Sequence, residues 1–119
     1  PLIGVNHIEA HLYAAVMSHP EPILPALGVV LSGGHTSIVD MQDIGQYHLL
    51  SETIDDAIGE SFDKVAKMLG LPYPGGPYIE KAALSGDANR FHFKPGRVKA
   101  NPLDFSFSGI KTSVLYTIR

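Results

Sequence analysis

The sequence predicts an α/β or α+β fold, because helical and strand periodicities both occur and follow one another along the chain. Three observations carry this. Residues 5–17 place Val5, Ile8, Leu12, Ala15 and Val16 at helical spacing. Two β-rich runs, 27–31 and 36–41, flank Ser32-Gly33-Gly34-His35. A second helical stripe runs through Ile54, Ile58, Phe62, Val65 and Leu69. Periodicity alone does not choose between the two classes.

Taken in order, the first helix carries His7 and His11 on one face. The stretch SHPEPILP, 18–25, holds three prolines and reads as an extended connector. The two β-rich runs form a hairpin whose tight turn calls for glycines at positive φ. Residues 42–50, with Tyr47, Leu49 and Leu50, continue as a third strand. A helix then begins with Thr53 as N-cap and Asp56 at the capping-box position, and stops at Gly70 as C′ residue. LPYPGGP, 71–77, is a rigid turn that delivers Pro77 as first residue of a helix over 77–85, ended by Gly86. Phe91-His92-Phe93 reads as a short strand, PGRVKANP as a loop, and Ser108 as the cap of a last helix from Gly109.

Composition excludes several function classes. The 119 residues are 45% hydrophobic, enough for a folded core. No apolar stretch approaches the ~20 residues needed to span a bilayer, and there is no basic start followed by an apolar run, so the expectation is a cytoplasmic protein with no membrane contact. With no cysteine, disulfides, thiolate zinc sites and thiol nucleophiles are ruled out. The charge of −3 hides an asymmetry: residues 1–89 carry three lysines against eleven acids, whereas 90–119 carry six basic residues against Asp104 alone. Such a basic stretch meets phosphate or RNA, or is simply solvated surface. The chain starts without methionine and stops inside the last helical pattern, which reads as a slice of a longer protein.

Histidines four apart on a helix face one metal ion. Glu9, two residues after His7, is rotated roughly 200° away and cannot serve as the base of a zinc protease, whose signature sets the glutamate directly after the first histidine. Two ligands are also too few for a stable site. The alternative is a pair of surface histidines. The Ser32-Gly33-Gly34 turn can present backbone N–H groups to an anion. Gly75-Gly76 before a helix is the better phosphate candidate, with a plain proline-bracketed turn as the equal alternative. Asp56, Glu60 and Asp63 put three like charges on one helix side, which needs a compensating cation, metal or sugar hydroxyl unless Lys64 and Lys67 neutralise them. No nucleophile–base pair stands out; a hairpin turn orients neither Ser32 nor His35. No catalytic residue is assigned.

Five stretches together, VNHIEAH (5–11), LSGGHTSIV (31–39), IGQYHLL (44–50), TIDDAIGESFDKVAKMLGLPYPGGP (53–77) and LDFSFSGIKT (103–112), closely resemble the TsaD family, also known as Gcp, YgjD or the glycoprotease-like family. Bacterial members are tRNA N6-adenosine threonylcarbamoyltransferases. The resemblance implies the actin/Hsp70/sugar-kinase ATPase-like fold, two RNase-H-like lobes around a nucleotide cleft. Residues 1–25 would end the first lobe, and 26–119 would start the second.

Carried over by position, the resemblance makes His7 and His11 ligands of one iron or zinc ion. It makes Val30, Leu31, Ser32, Gly33, Gly34, Asp63, Gly76 and Glu80 substrate- or nucleotide-binding, Glu80 as a ribose contact of archaeal relatives. Archaeal and eukaryotic members carry a metal-binding tyrosine where this chain has Val30 and asparagine where it has His35. Both differences point to the bacterial or organellar branch. The reaction implied moves threonylcarbamoyl from threonylcarbamoyl-AMP to N6 of adenosine 37 in tRNAs reading codons that begin with A, with TsaB and TsaE as partners. The older family reading, an O-sialoglycoprotein metalloprotease, and a non-catalytic nucleotide-binding module are the alternatives.

Overall fold

The computed structural model describes residues 1–21 and 23–118; Pro22 of the connector and Arg119 of the basic stretch lie outside them. The order of elements is α1 (His7–Met17), β1 (Ala26–Leu31), β2 (Thr36–Asp43), β3 (Gln46–Glu52), α2 (Ile58–Met68), α3 (Gly75–Ala83) and α4 (Ser108–Thr117). The result is a mixed α/β chain with one small antiparallel sheet in the order β1-β2-β3.

Helix α1 starts where Asn6 can cap it: the Asn6 carboxamide oxygen accepts the N–H groups of Ile8 and Glu9 at 2.9 and 3.2 Å. Its Leu12 enters the core with Val30, Val39 and Met41. Ala26, Gly28 and Val30 of β1 stand opposite Met41, Val39 and Ser37 of β2, so one sheet face takes the helix. Gly28 lets the two approach, since a Cβ there would lie 2.6 Å from Leu12 Cδ2. The other face of β1 stays uncovered: Leu27, Val29 and Leu31 are all more than half exposed. The radius of gyration, 17.2 Å, exceeds the ~13.5 Å of a compact domain of this length.

Several expectations change. Thr53–Ala57 is not helical, and α2 begins at Ile58 behind Ala57. Thr53 is drawn into pairing instead: its N–H binds Thr36 O at 2.9 Å and it bridges Phe105. The first N–H of α2 is capped from across the chain, by Thr36 Oγ1 at 2.9 Å from Ile58 N. Consequently Ile54 is no part of the helical stripe, and Asp56 lies outside the helix. Gly70 is the C′ residue as expected, with φ of 70°.

Gly33 and Gly34 do not adopt positive φ. The turn closes through Ser32 Oγ, which accepts the N–H of His35 at 2.9 Å. Positive φ occurs at Gly45, in the tight turn that separates 42–43, still β2, from β3. Helix α3 starts at Gly75, so Pro77 is its third residue. Phe91–Phe93 is not a strand. Ser108 is the first residue of α4, and its N–H is met by Asp55 at 3.3 Å.

Candidate functional site

His7 and His11 occupy consecutive turns of α1, and their Nε2 atoms stand 3.2 Å apart. Two nitrogens bound to one tetrahedral zinc at about 2.0–2.1 Å are separated by roughly 3.3 Å, so the pair fits one ion. No group of three His, Cys, Asp or Glu side chains converges among the described residues. The His35 ring lies 6.3 Å from that of His7, across a cleft of about 450 Å³ that all three histidines line with Leu31 and Ser32.

The orientation of α1 is fixed by its opposite side. Glu9 accepts a hydrogen bond from the Tyr47 hydroxyl, and the Tyr13 hydroxyl accepts the N–H of Gly45 at 2.5 Å. Hydrogen bonding to Glu9 is the main influence raising the Tyr47 pKa above its ordinary value. Glu9 is thus tied to β3, as the rotation argument required, and is not available to a metal-bound water.

A second cleft, about 350 Å³, brings together Leu31, Ser32, Gly33, Asp63 and Gly76, five of the eight positions suggested for substrate. The other three fall elsewhere. The Val30 side chain is in the core, Gly34 lines a different hollow with Asn6 and Asp55, and Glu80 is exposed on α3 away from the cleft lining.

Within the cleft, the two glycines divide the roles that sequence left even. A Cβ on Gly75 would meet Ala66 Cβ at 2.6 Å and Phe62 O at 2.7 Å, so Gly75 permits the crossing of α2 and α3. A Cβ on Gly76 would meet nothing within 4 Å, leaving room for a ligand. Asp63 Oδ1 takes the Gly75 N–H at 2.7 Å, and Pro77 has none to give. Gly76 therefore offers the open donor of that turn. In the Ser32 turn, Ser32 N–H binds His35 O, and Ser32 Oγ takes Gly34 N–H at 3.4 Å as well as His35 N–H. Gly33 N–H is the one left without a partner among the described residues. Ser32 Oγ reaches His35 at its backbone and not at its ring, so the two do not form a nucleophile–base pair.

The three-acid face does not form. Lys64 Nζ lies 2.7 Å from both Asp56 and Glu60, and Lys111 adds a contact to Asp56 at 3.0 Å. Hydrogen bonding from Lys64, opposed by burial and aided by Lys111, holds the Asp56 carboxyl below its ordinary pKa.

Sequence reasoning missed Gly59. Its N–H binds Ser32 O at 3.2 Å, and a Cβ there would lie 2.8 Å from Gly33 Cα. The signal was a glycine in the first turn of a helix, where it costs stability unless something must come close.

Comparison with known proteins decides the affiliation. The sequence model of the family described as "TsaD: tRNA N6-adenosine threonylcarbamoyltransferase" matches residues 1–119. The chain belongs to the TsaD family. A TsaD relative named tRNA N6-adenosine threonylcarbamoyltransferase from Protochlamydia amoebophila is 65% identical over 120 residues, covering all of this chain and 35% of the relative. The protein of the same name from Chlamydia trachomatis serovar L2b is 58% identical, again with 35% of its length covered. That from Anaeromyxobacter sp. strain Fw109-5 is 53% identical, with 36% covered. The chain thus spans about a third of the length of these TsaD proteins.

Proposed function

We propose that the full-length protein transfers the threonylcarbamoyl group from threonylcarbamoyl-AMP to N6 of adenosine 37 in tRNAs that read codons beginning with A. The family match over the whole chain carries this reading, because the relatives' shared name states the modification. The site's chemistry supports it. Gly33 and Gly76 line one cleft, where a free backbone N–H would suit a phosphate, and Asp63 beside them can accept ribose hydroxyls. Val30 and Gly34 contribute through backbone position, and Glu80 lies farther along α3.

His7 and His11 would hold one iron or zinc ion, together with a third ligand from the remaining two thirds of the protein. When bound, that ion supplies Lewis acidity to the acyl donor. No protein nucleophile is required, since N6 of the base attacks, and Ser32 and His35 form no nucleophile–base pair among the described residues. The two-lobed ATPase-like fold, with 1–25 ending one lobe and 26–119 starting the next, is part of this reading. The uncovered apolar face of β1 supports it; TsaB and TsaE as partners and a cytoplasmic setting belong to the same reading. No helix of the described residues is long and apolar enough to cross a membrane.

The test is restoration of threonylcarbamoyladenosine, measured by mass spectrometry of digested tRNA, in cells depleted of their own enzyme. Full-length wild type restores it and His7→Ala/His11→Ala does not. A folded wild type that restores nothing overturns the reading. The 119 residues alone turn over no substrate, having only two of the metal ligands.

A further inference from the structure

Residues 90–99, Arg-Phe-His-Phe-Lys-Pro-Gly-Arg-Val-Lys, form neither helix nor strand, and no acid occurs between Asp87 and Asp104. Arg90, Lys94, Arg97 and Lys99 are all exposed. The ion pairs of the described residues involve only Lys64 and Lys111, so none of these four cations is neutralised. Repulsion among unpaired like charges would favour a loose, solvated loop.

The segment is instead fastened at several points. Phe93, still 40% exposed, lines a groove with Phe107, Ile110 and Val114. Gly96 packs so closely that a Cβ would lie 2.8 Å from Ser106 Cβ. The turn that follows is bonded to β3, with Ser51 Oγ donating to Leu103 O at 2.5 Å and Glu52 N–H to Asp104 at 3.1 Å. The charges are displayed on a held backbone.

Between them stands Phe91, 51% exposed, its ring 6.4 Å from that of Phe93 at an interplanar angle of 29°. The Arg90 guanidinium sits 5.4 Å from the Phe91 ring centroid. Cations that track a backbone, together with an exposed aromatic ring for a base, are the combination that holds single-stranded nucleic acid. Position supports the same partner. Ile58 and Phe62 line both the groove that Phe93 lines and the cleft of Gly76 and Asp63, so the strip adjoins the candidate site.

We infer that residues 90–99 are a contact strip for the RNA substrate, with Arg90, Lys94, Arg97 and Lys99 on phosphates and Phe91 on a base. This rests on the reading of the full-length protein as a tRNA-modifying enzyme and names the surface that meets the RNA.

The experiment measures tRNA binding by the full-length protein between 50 and 200 mM salt, with its partners present. Replacing Arg90, Lys94, Arg97 and Lys99 by alanine weakens binding at least tenfold and makes the slope of log K against log salt shallower by about 2 to 3, at ~0.7 per phosphate. KM for threonylcarbamoyl-AMP is unchanged. The charge-preserving variant Arg90→Lys/Arg97→Lys keeps the wild-type slope. Phe91→Ala weakens binding roughly tenfold without altering the slope.

If wild type binds and modifies tRNA and the quadruple variant does so equally, the strip is refuted while the enzyme reading stands. Lost modification with unchanged tRNA affinity assigns the strip to a protein partner and overturns the RNA contact. A folded wild type that neither binds nor modifies tRNA removes both.

Discussion

Asp63 accepts the N–H of Gly75 at 2.7 Å, so one carboxylate near the middle of α2 caps the first turn of α3. The same side chain lines the candidate nucleotide cleft, so one residue serves both helix packing and the site. Asp63→Ala removes the cap and lowers stability by about 1 kcal/mol. Asp63→Asn retains an acceptor and stays within a few tenths of wild type. Thermal unfolding of the full-length protein reads the difference, and equal midpoints for wild type and Asp63→Ala would contradict the capping role.

Neighbouring glycines should behave oppositely. Gly75→Ala drives a methyl into Ala66 and the Phe62 carbonyl and costs roughly 1–3 kcal/mol. Gly76→Ala meets no atom within 4 Å and gains about 0.5–1 kcal/mol of helix stability. The added methyl nevertheless stands where a ligand approaches, so threonylcarbamoyl-AMP affinity falls. A Gly76→Ala protein with full affinity would show that the ligand lies elsewhere.

Gly59→Ala tests how α2 supports the Ser32 turn. The new Cβ would lie 2.8 Å from Gly33 Cα and Ser32 O, both backbone atoms that no rotamer change can move aside. The turn must shift, costing roughly 1–3 kcal/mol in denaturant unfolding and more than tenfold in nucleotide affinity. Wild-type values for both would mean that the contact is slack.

Asp55 makes the docking of α4 sensitive to acid. Partial burial pushes its carboxyl up, but the hydroxyls of Ser108 and Ser106 and the N–H groups of Phe107 and Ser108 together outweigh this and hold it at about 2, against an ordinary 3.8. A depressed carboxylate stabilises the fold above its unfolded pKa and ceases to do so as pH falls through its folded one. The contribution is therefore complete above about pH 4 and lost towards pH 2. Urea midpoints of wild type should fall between those values more steeply than those of Asp55→Asn. Parallel curves would exclude Asp55 as the source.

Legibility in the sequence followed the range of the interactions. The histidine helix, the Ser-Gly-Gly hairpin and the Gly70 stop rest on contacts a few residues apart, and spacing revealed them. The start of α2 was misplaced because its cap is Thr36, twenty-two residues upstream, while Thr53, which has the right chemistry, is occupied by pairing with Phe105. Positive φ was assigned to Gly33 and Gly34 because glycine pairs usually mean that; Ser32 Oγ closes the turn by another route. For the site, residue types located the cleft of Asp63 and Gly76 but could not show that Val30 points into the core. Lys64 was among the neutralising cations the spacing offered, but Lys111, fifty-five residues away from Asp56, was not.

Leu31 and Ser32 belong to both clefts, with the histidines on one side and Gly76 on the other. A partition shared in this way makes two occupants thermodynamically interdependent. If seating one moves the partition, the other's affinity changes by the same factor in either order of addition. Gly59, pressed against Gly33 within the second cleft, sets how stiff that partition is. Cooperativity between ion and nucleotide would thus be adjustable from Gly59, which lines the nucleotide cleft and not the histidine one.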